Sequence, residues 1–339
     1  MTQNFLAQHE IGRRFHIDPS DLPPPKTGPI VTDRSLIVPY SGQVPQVPPG
    51  FTATPFATGL VNPRRLLVLP NGDVLLAEQS AGYLTLLRDD GSGHATWIDR
   101  HVEDLNKPYG LAWRDNHVLV ADQDGIWSVP HNLGALRAGS SETKRVDQVP
   151  LFGIVQGHQN RHLVIDPKTG ALFVGVGSSG NLGVEPEPKA TSNASMQTVP
   201  IKQHLPPAHV TRLRSHSTQK AATFMRWCKS ATVLVTSCHP IISSACNKEG
   251  FTDGHTPTSA VRVPFKDGRP EGYYENFTTG FWVSGEQRAE VWGRPAALAV
   301  AKDGSLLVAD DTGGTIWCIA YTGTGDRAAA HPDRAESQR

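Results

Sequence analysis

The sequence predicts an all-β fold of the β-propeller type, and three observations favour it. Glycine and proline are abundant, at 32 and 27 of 339 residues, whereas strong amphipathic helices are scarce. A segment that consists of an apolar run, a polar turn and a β-rich run recurs along the chain. The first two copies begin 45 residues apart, at Pro63 and Pro108, a spacing typical of propeller blades. An ordinary β-sandwich is the alternative that hairpins alone leave open.

Four copies of this segment share the same order of apolar run, turn and second apolar run. The copies are Pro63–Glu78, Pro108–Asp122, Asn160–Gly175 and Arg294–Asp310. A further apolar run, residues 82–88 and 314–320, follows the first and last copies and predicts a third strand there. Each copy therefore predicts part of one blade.

Changes in composition along the chain predict five regions. The N-terminal region is rich in proline, which enforces extended backbone and removes hydrogen-bond donors. The last residues are polar, as is usual for disordered tails. The predicted regions are a Pro-rich arm at 1–50, propeller blades at 51–190, an anomalous segment at 191–258, C-terminal propeller blades at 259–324 and a disordered tail at 325–339.

Charge and hydropathy exclude several functions. The 32 basic and 32 acidic side chains cancel, which argues against a general nucleic-acid binder or a polybasic membrane adaptor. No apolar run approaches the roughly 18 residues of a membrane span. The first ten residues lack a basic region followed by an apolar stretch, so no signal peptide is expected. Four cysteines are too few for a disulfide framework in a chain of this length.

Three cationic or titratable side chains precede predicted inner strands. His158 lies before the third copy and has the chemistry of a general base near neutral pH. Arg294 precedes the last copy and Lys107 the second. If these side chains converge at one mouth of the propeller, they form a cationic pocket suited to a polyanionic cofactor. Solvated side chains and strand-end caps are the alternative.

Several motifs resemble one family. They are residues 22–25, 50–57, 157–167, 172–178, 180–181, 261–268 and 291–317, with Gly157-His158-Gln159-Asn160-Arg161-His162 the most specific. Together they resemble the sorbosone dehydrogenase-like proteins, which belong with the soluble quinoprotein glucose and aldose sugar dehydrogenases. The resemblance covers roughly residues 18–190 and 260–323.

The resemblance implies a six-bladed propeller that uses pyrroloquinoline quinone (PQQ) and Ca²⁺ to oxidise a sugar, a sugar aldehyde or a polyol. It implies that His158 is the general base and that Arg294 contacts PQQ, while Arg161 belongs to the same motif and is a further candidate for cofactor binding. The metal ligands and the electron acceptor stay open. Gly157 stands where glucose-oxidising members have an acid, which implies a different substrate preference. The family is typically periplasmic, whereas the sequence as written, without a signal peptide, implies the cytoplasm.

The segment from Thr191 to Ala260 has an unusual composition. It contains three of the four cysteines and only two of the 32 acids, with a local net charge of +5. The resemblance leads us to expect an Arg-Asn-Pro loop and a Gly-Trp-Pro strand here, and the chain shows neither. With suitable codons, the neighbouring reading frame supplies both. We therefore predict that residues 192–258 are frame-shifted or disordered.

A frame-shifted middle predicts an incomplete ring with reduced or no activity, since propellers close only when all blades are present. Two other functions stay open, a non-enzymatic binding scaffold and a calcium-dependent sugar lactonase. Zinc binding by Cys228, Cys238, His239 and Cys246 is disfavoured because the paired spacing of structural sites is missing.

Overall fold

The structure is a computed structural model in which all regular secondary structure of the described residues is β-strand. The described residues are 9–16, 35–138, 144–145, 159–166, 170, 172–177, 196–199, 232–235, 259–266, 269–285 and 288–323. No helix long and apolar enough to cross a membrane occurs within these ranges.

The described strands are numbered in chain order. They are β1 (Arg14–His16), β2 (Leu36–Ile37), β3 (Phe51–Ala57), β4 (Pro63–Val68), β5 (Val74–Glu78), β6 (Tyr83–Asp89), β7 (Ala95–Val102), β8 (Gly110–Arg114), β9 (His117–Ala121), β10 (Ile126–Pro130), β11 (Lys144–Arg145), β12 (Arg161–Ile165), β13 (Leu172–Val176), β14 (Met196–Val199), β15 (Thr232–Val235), β16 (Ala260–Lys266), β17 (Arg269–Pro270), β18 (Tyr273–Thr278), β19 (Trp282–Ser284), β20 (Glu290–Val291), β21 (Pro295–Val300), β22 (Leu306–Asp310) and β23 (Thr315–Tyr321). The all-β prediction is thus confirmed.

The strands form six separate sheets. Their strand orders are β4-β5-β6-β7, β8-β9-β10-β11, β12-β13-β14, β15-β16-β18-β1 with β17 beside β16, β19-β20-β2, and β21-β22-β23-β3. All pairs are antiparallel except that of β2 with β20. Short turns explain the pairs of consecutive strands such as β4–β5 and β8–β9, because an antiparallel pair needs only a few connecting residues.

The first predicted hairpin is present with the expected turn. Asn71 and Gly72 connect β4 to β5, and Gly72 has a φ of 102°, a value at which a side chain would be strained. Every residue of β5 is buried. Val74 and Leu76 pack towards the sheet that contains β21–β23, whereas Leu75 faces the sheet of β8–β11. The continuous apolar run is therefore explained by a strand covered on both faces.

Four sheets pack in sequence through their first strands. Strand β21 lies beside β4, β4 beside β8, and β8 beside β12. We call these four strands the inner strands. Apolar clusters fill the space between successive sheets; one of them contains Leu119, Leu163 and Val174. This arrangement brings the beginnings of the inner strands to one end of the molecule.

The sheet of β21–β23 is completed by an early strand. Strand β3 pairs with β23 from Phe51 opposite Tyr321 to Ala57 opposite Ile316. Two parts of the N-terminal region also pair with later strands, β1 with β18 and β2 with β20. The predicted Pro-rich arm thus includes residues that extend two later sheets.

The anomalous segment is described only in part. Strand β14 pairs with β13, and β15 pairs with β16. The remaining residues of 191–258, among them the four candidates for zinc binding, lie outside the described residues. The predicted frame shift therefore stays a prediction.

Candidate functional site

The beginnings of the inner strands carry the charged residues. Aligning the copies at their shared leucine gives Arg64, Tyr109, Arg161 and Ala296 one equivalent position. The following position holds Arg65, Gly110, His162 and Ala297. The repeat therefore places several cations at the same end of neighbouring strands.

Acids at the ends of the second strands fix the loops before three of the inner strands. Glu78 accepts a hydrogen bond from the backbone N–H of Val61, and Asp122 accepts one from that of Asn106 at 3.0 Å. Asp310 likewise accepts the backbone N–H of Arg294 at 2.7 Å. Buried carboxylates need such donors, because an unpaired charge in the interior is costly. The site rests on a repeated backbone contact.

Arg294 is held by two consecutive acids. While Asp310 binds its backbone, Asp311 binds its guanidinium in a fork, with Nε–Oδ1 at 2.6 Å and Nη2–Oδ2 at 2.5 Å. Burial opposes the charge of Arg294, but the hydrogen bonds to Asp311 and the charges of Asp311 and Asp310 together outweigh burial and raise the pKa of Arg294. A bidentate contact of this kind fixes the plane of the guanidinium as well as its position.

Arg64 shares the same carboxylate. Its Nη1 donates to Oδ2 of Asp311, whose side chain is fully buried. A β-bulge lies at the start of β4, where Pro63 pairs with Glu78 and Arg65 already pairs with Ala77. Bulges commonly redirect a side chain at the rim of a sheet. The bulge accounts for the direction of Arg64 towards the sheet of β21–β23.

Arg65 brings a third guanidinium to this end. Burial lowers its pKa, and its Nε atom is buried without a hydrogen-bond partner among the described residues. A buried guanidinium without an acid is costly unless an anion compensates it. We call Arg64, Arg65, Arg294 and Asp311 the arginine cluster. It contains three cationic side chains and one carboxylate.

Tyr109 connects the arginine cluster to the third sheet. Only 4% of Tyr109 is exposed. The guanidinium of Arg64 lies 5.6 Å from its ring centre, and the ring of His162 meets it edge to face at 4.7 Å. Burial raises the pKa of Tyr109, so the phenol stays neutral at ordinary pH. An aromatic wall thus separates the arginine cluster from His162.

Arg161 is fully buried and occupies a different environment. It donates to the carbonyl of Asn160 at 2.9 Å and to Oε1 of Gln123 at 3.0 Å. Burial lowers its pKa to about 10, and the nearby charge of Asp122 opposes this shift. Gln123 also donates from Nε2 to the carbonyl of Gln159 at 2.8 Å. Arg161 and Gln123 therefore tie the start of β12 to the preceding sheet.

The sequence-predicted site residues have different outcomes. Arg294 lies in the arginine cluster and Arg161 lies buried at the start of β12. Lys107 is exposed, has a left-handed φ of 54°, and has no side-chain hydrogen bond or ion pair among the described residues. His158 lies outside the described residues. Convergence of His158, Arg294 and Lys107 on one mouth therefore stays a prediction.

Sequence reasoning missed Arg64, Arg65, Tyr109 and Asp311. The position shared by Arg64 and Arg161 in the repeat was a usable signal for the first of these. The sequence signal for Asp311 was weaker: it is a second acid directly after the strand-end acid Asp310. Its partner Arg64 is 247 residues away in the chain, a contact that no local pattern reports.

A metal site is not evident in the part of the chain that the structure describes. No group of three or more His, Cys, Asp or Glu side chains there is arranged to hold a metal ion. The calcium ligands, unknown from the sequence, are not identified by these residues.

A comparison with protein families matches part of the chain. A family model described as TrAA12-like matches residues 45–213. This part of the chain is TrAA12-like. The match contains the inner strands β4, β8 and β12 and ends inside the anomalous segment. It confirms the resemblance to the quinoprotein sugar dehydrogenases that the sequence motifs indicated.

Solved structures have a similar fold to this chain. An iodide structure of the Trichoderma reesei Carbohydrate-Active Enzymes Family AA12 protein has a TM-score of 0.53 at 13% identity, covering 82% of this chain and 98% of that one. A calcium structure from the same organism and family has a TM-score of 0.51 at 13% identity, covering 82% and 97%. No curated protein matches the sequence significantly. At this identity the likeness concerns the fold.

Proposed function

We propose that this chain is a PQQ-dependent dehydrogenase that oxidises a sugar, a sugar aldehyde or a polyol. The observation that carries the proposal is the excess of cations in the arginine cluster, within a chain whose residues 45–213 are TrAA12-like. Asp311 and the adjacent carboxylate of Asp310 compensate only part of the charge of the three arginines of the cluster. An anion is needed to compensate the remainder.

The chemistry of the arginine cluster fits a polycarboxylate. PQQ carries several carboxylates on a flat ring system, and guanidinium groups bind carboxylates in planar, two-point contacts. Arg294 and Arg64 would hold one edge of the cofactor, and the buried Tyr109 would exclude water beside it. When bound, PQQ supplies a quinone that accepts hydride from the substrate.

We assign the proton-handling step to His158, as the family resemblance implies. Its imidazole would take the proton from the substrate hydroxyl as hydride leaves the same carbon. Gln123 binds the carbonyl of Gln159, the residue that follows His158 in the chain, and so anchors the backbone beside the proposed base. Calcium is part of the proposal through the family resemblance alone, and no step is assigned to it.

The proposed architecture is a six-bladed propeller in which the segment 191–258 leaves the ring incomplete. Six sheets, of which four pack in sequence through their inner strands, support it. An incomplete ring weakens the hold on the cofactor, since part of the pocket wall would be missing. We therefore expect reduced activity.

Titration with PQQ tests the proposal. The purified chain is titrated with PQQ in the presence and absence of Ca²⁺, and the quinone absorbance is followed after sugars, sugar aldehydes and polyols are added. We expect saturable binding and substrate-dependent reduction. His158→Ala should keep the binding and lose at least about 100-fold in turnover, as is typical when a general base is removed. Arg294→Ala should weaken the binding about tenfold or more.

The control variant for this titration is Asp99→Asn. Asp99 forms an exposed ion pair with Arg137, and the two residues lie outside the arginine cluster. A folded chain that binds no PQQ would contradict the proposed function. Binding without any effect of Arg294→Ala would contradict the assigned site.

A further inference from the structure

The residue after two of the three strand-end acids reaches the neighbouring sheet. After Asp122, Gln123 accepts a hydrogen bond from Arg161 of the next sheet. After Asp310, Asp311 binds Arg64, which occupies the equivalent position of the repeat. The same contact between sheets thus occurs twice, once with a neutral amide and once with a carboxylate.

Asp311 does more than its neutral counterpart. It binds the arginine of the next sheet and also Arg294 of its own sheet. Arg294 is consequently held at both ends, at its backbone by Asp310 and at its guanidinium by Asp311. A long side chain loses much rotamer freedom when a ligand orders it, and here that freedom is restricted beforehand.

The fork also determines which atoms stay available. Asp311 takes Nε and Nη2 of Arg294, whereas Nη1 has no hydrogen-bond partner among the described residues. One guanidinium edge therefore binds the protein, and a second donor group remains for another anion. Fixing the first edge sets the direction of the second, because the guanidinium is planar.

We propose that Asp311 is a positioning residue that fixes Arg64 and Arg294 as a rigid pair, so that the pair presents its remaining N–H groups to a carboxylate of the cofactor. This inference rests on the proposed function, because the ligand carboxylate belongs to the proposed cofactor. It goes further by assigning a role to an acid that, on charge alone, would oppose binding.

The two possible roles of Asp311, through its charge and through positioning, predict opposite changes in the affinity for PQQ when Asp311 is replaced by asparagine. Removing the carboxylate makes the arginine cluster more positive, so long-range attraction alone would strengthen the binding of an anion. Asparagine has a single oxygen acceptor, so it cannot hold the fork of Arg294 and the contact of Arg64 together; both guanidinium groups then gain rotational freedom, which weakens binding. The direction of the change in affinity for PQQ therefore separates the two roles.

The first measurement compares the affinity of wild-type, Asp311→Asn and Asp99→Asn chains for PQQ by equilibrium titration. We expect Asp311→Asn to bind PQQ about tenfold more weakly, the size of one lost charge-assisted hydrogen bond. Asp99→Asn removes the carboxylate of an exposed Arg137 pair and should leave the affinity within about twofold. Equal or tighter binding by Asp311→Asn would overturn the proposal.

A second variant covers the case in which Asp311→Asn fails to fold. Arg294→Lys keeps the charge and removes the fork, since an ammonium group has no planar pair of donors. Positioning predicts a loss of affinity of about tenfold, whereas attraction by charge alone predicts no change. Unfolding in urea, measured for each variant, confirms that the compared chains are folded.

A measurement without PQQ separates this inference from the proposed function. In the nuclear magnetic resonance spectrum of arginine side chains, the Nε–H of Arg294 should exchange slowly with water in the wild type and in Asp99→Asn, and rapidly in Asp311→Asn. If the wild type binds no PQQ but shows this pattern, the proposed function fails, while the fixing of Arg294 by Asp311 stands. Rapid exchange in the wild type, or slow exchange in Asp311→Asn, would contradict the positioning role.

Discussion

Arg64 and Arg161 occupy equivalent positions of the repeat but have different environments. Arg64 is partly exposed and shares a carboxylate with Arg294, whereas Arg161 is fully buried and binds a carbonyl and the amide of Gln123. One residue type at one repeat position therefore serves two purposes. The partner on the preceding sheet determines the role of the arginine. Asp311 is shared between two arginines and leaves N–H groups of Arg64 available for a ligand, whereas Gln123 encloses Arg161 in the core.

The largest expected effect comes from replacing the two arginines by alanine. Arg161→Ala should lower the free energy of unfolding by about 3 kcal/mol, because it removes a buried side chain and leaves Gln123 without its donor. Arg64→Ala should lower it by about 1 kcal/mol, since part of that side chain already contacts water. Urea unfolding at neutral pH measures both. Equal losses would contradict the distinction between a core arginine and a site arginine.

Acid should affect a different contact between sheets. His101 on β7 and His131 after β10 are both buried, and Nδ1 of His131 lies 3.0 Å from Nε2 of His101. Nδ1 of His101 faces the carbonyl of Leu136 at 3.3 Å, which places a proton on that nitrogen. His101 then accepts a hydrogen bond from Nδ1 of His131 through Nε2, so the ring of His101 must be neutral for this contact to form. The surrounding charges are the ion pair of Asp73 and Arg88.

This histidine pair predicts a loss of stability in acid. Burial lowers the pKa of His101 from 6.5 to about 4, so the unfolded chain binds a proton more readily than the folded chain. The stabilisation that the neutral His101 contributes to the folded chain is complete above pH 6.5 and falls as the pH drops towards 4. Between pH 7 and pH 5 the wild type should lose about 2 kcal/mol more than His101→Gln. Parallel pH profiles of unfolding for the two chains would contradict this assignment.

The smallest expected effect is at Lys107. Lys107→Ala should change the free energy of unfolding by less than about 0.5 kcal/mol, because the side chain is exposed and has no described partner. Its affinity for PQQ tests whether the mouth extends beyond the arginine cluster. A loss of more than about threefold at low salt that disappears at high salt would place Lys107 in the pocket. An unchanged affinity would restrict the site to the arginine cluster.

Local patterns in the sequence predicted the strands well. The turn at Asn71 and Gly72 and the central strand β5 follow directly from turn residues and an apolar run. Arg161 was identified through a local motif, and its burial was not foreseen. Asp311 was missed because its role depends on Arg64 of another sheet, and packing between sheets has no signature in a single stretch of sequence.

The pairing of β3 with β23 has a consequence for the order of events during synthesis. The sheet that carries Asp310 and Asp311 needs residues 51–57 and residues 315–321, which leave the ribosome at very different times. Contacts between such distant residues form late, because a long loop must close first. The inner strands β4, β8 and β12 can assemble on the nascent chain. The contact between Arg64 and Asp311 can form only when nearly the whole chain has emerged from the ribosome.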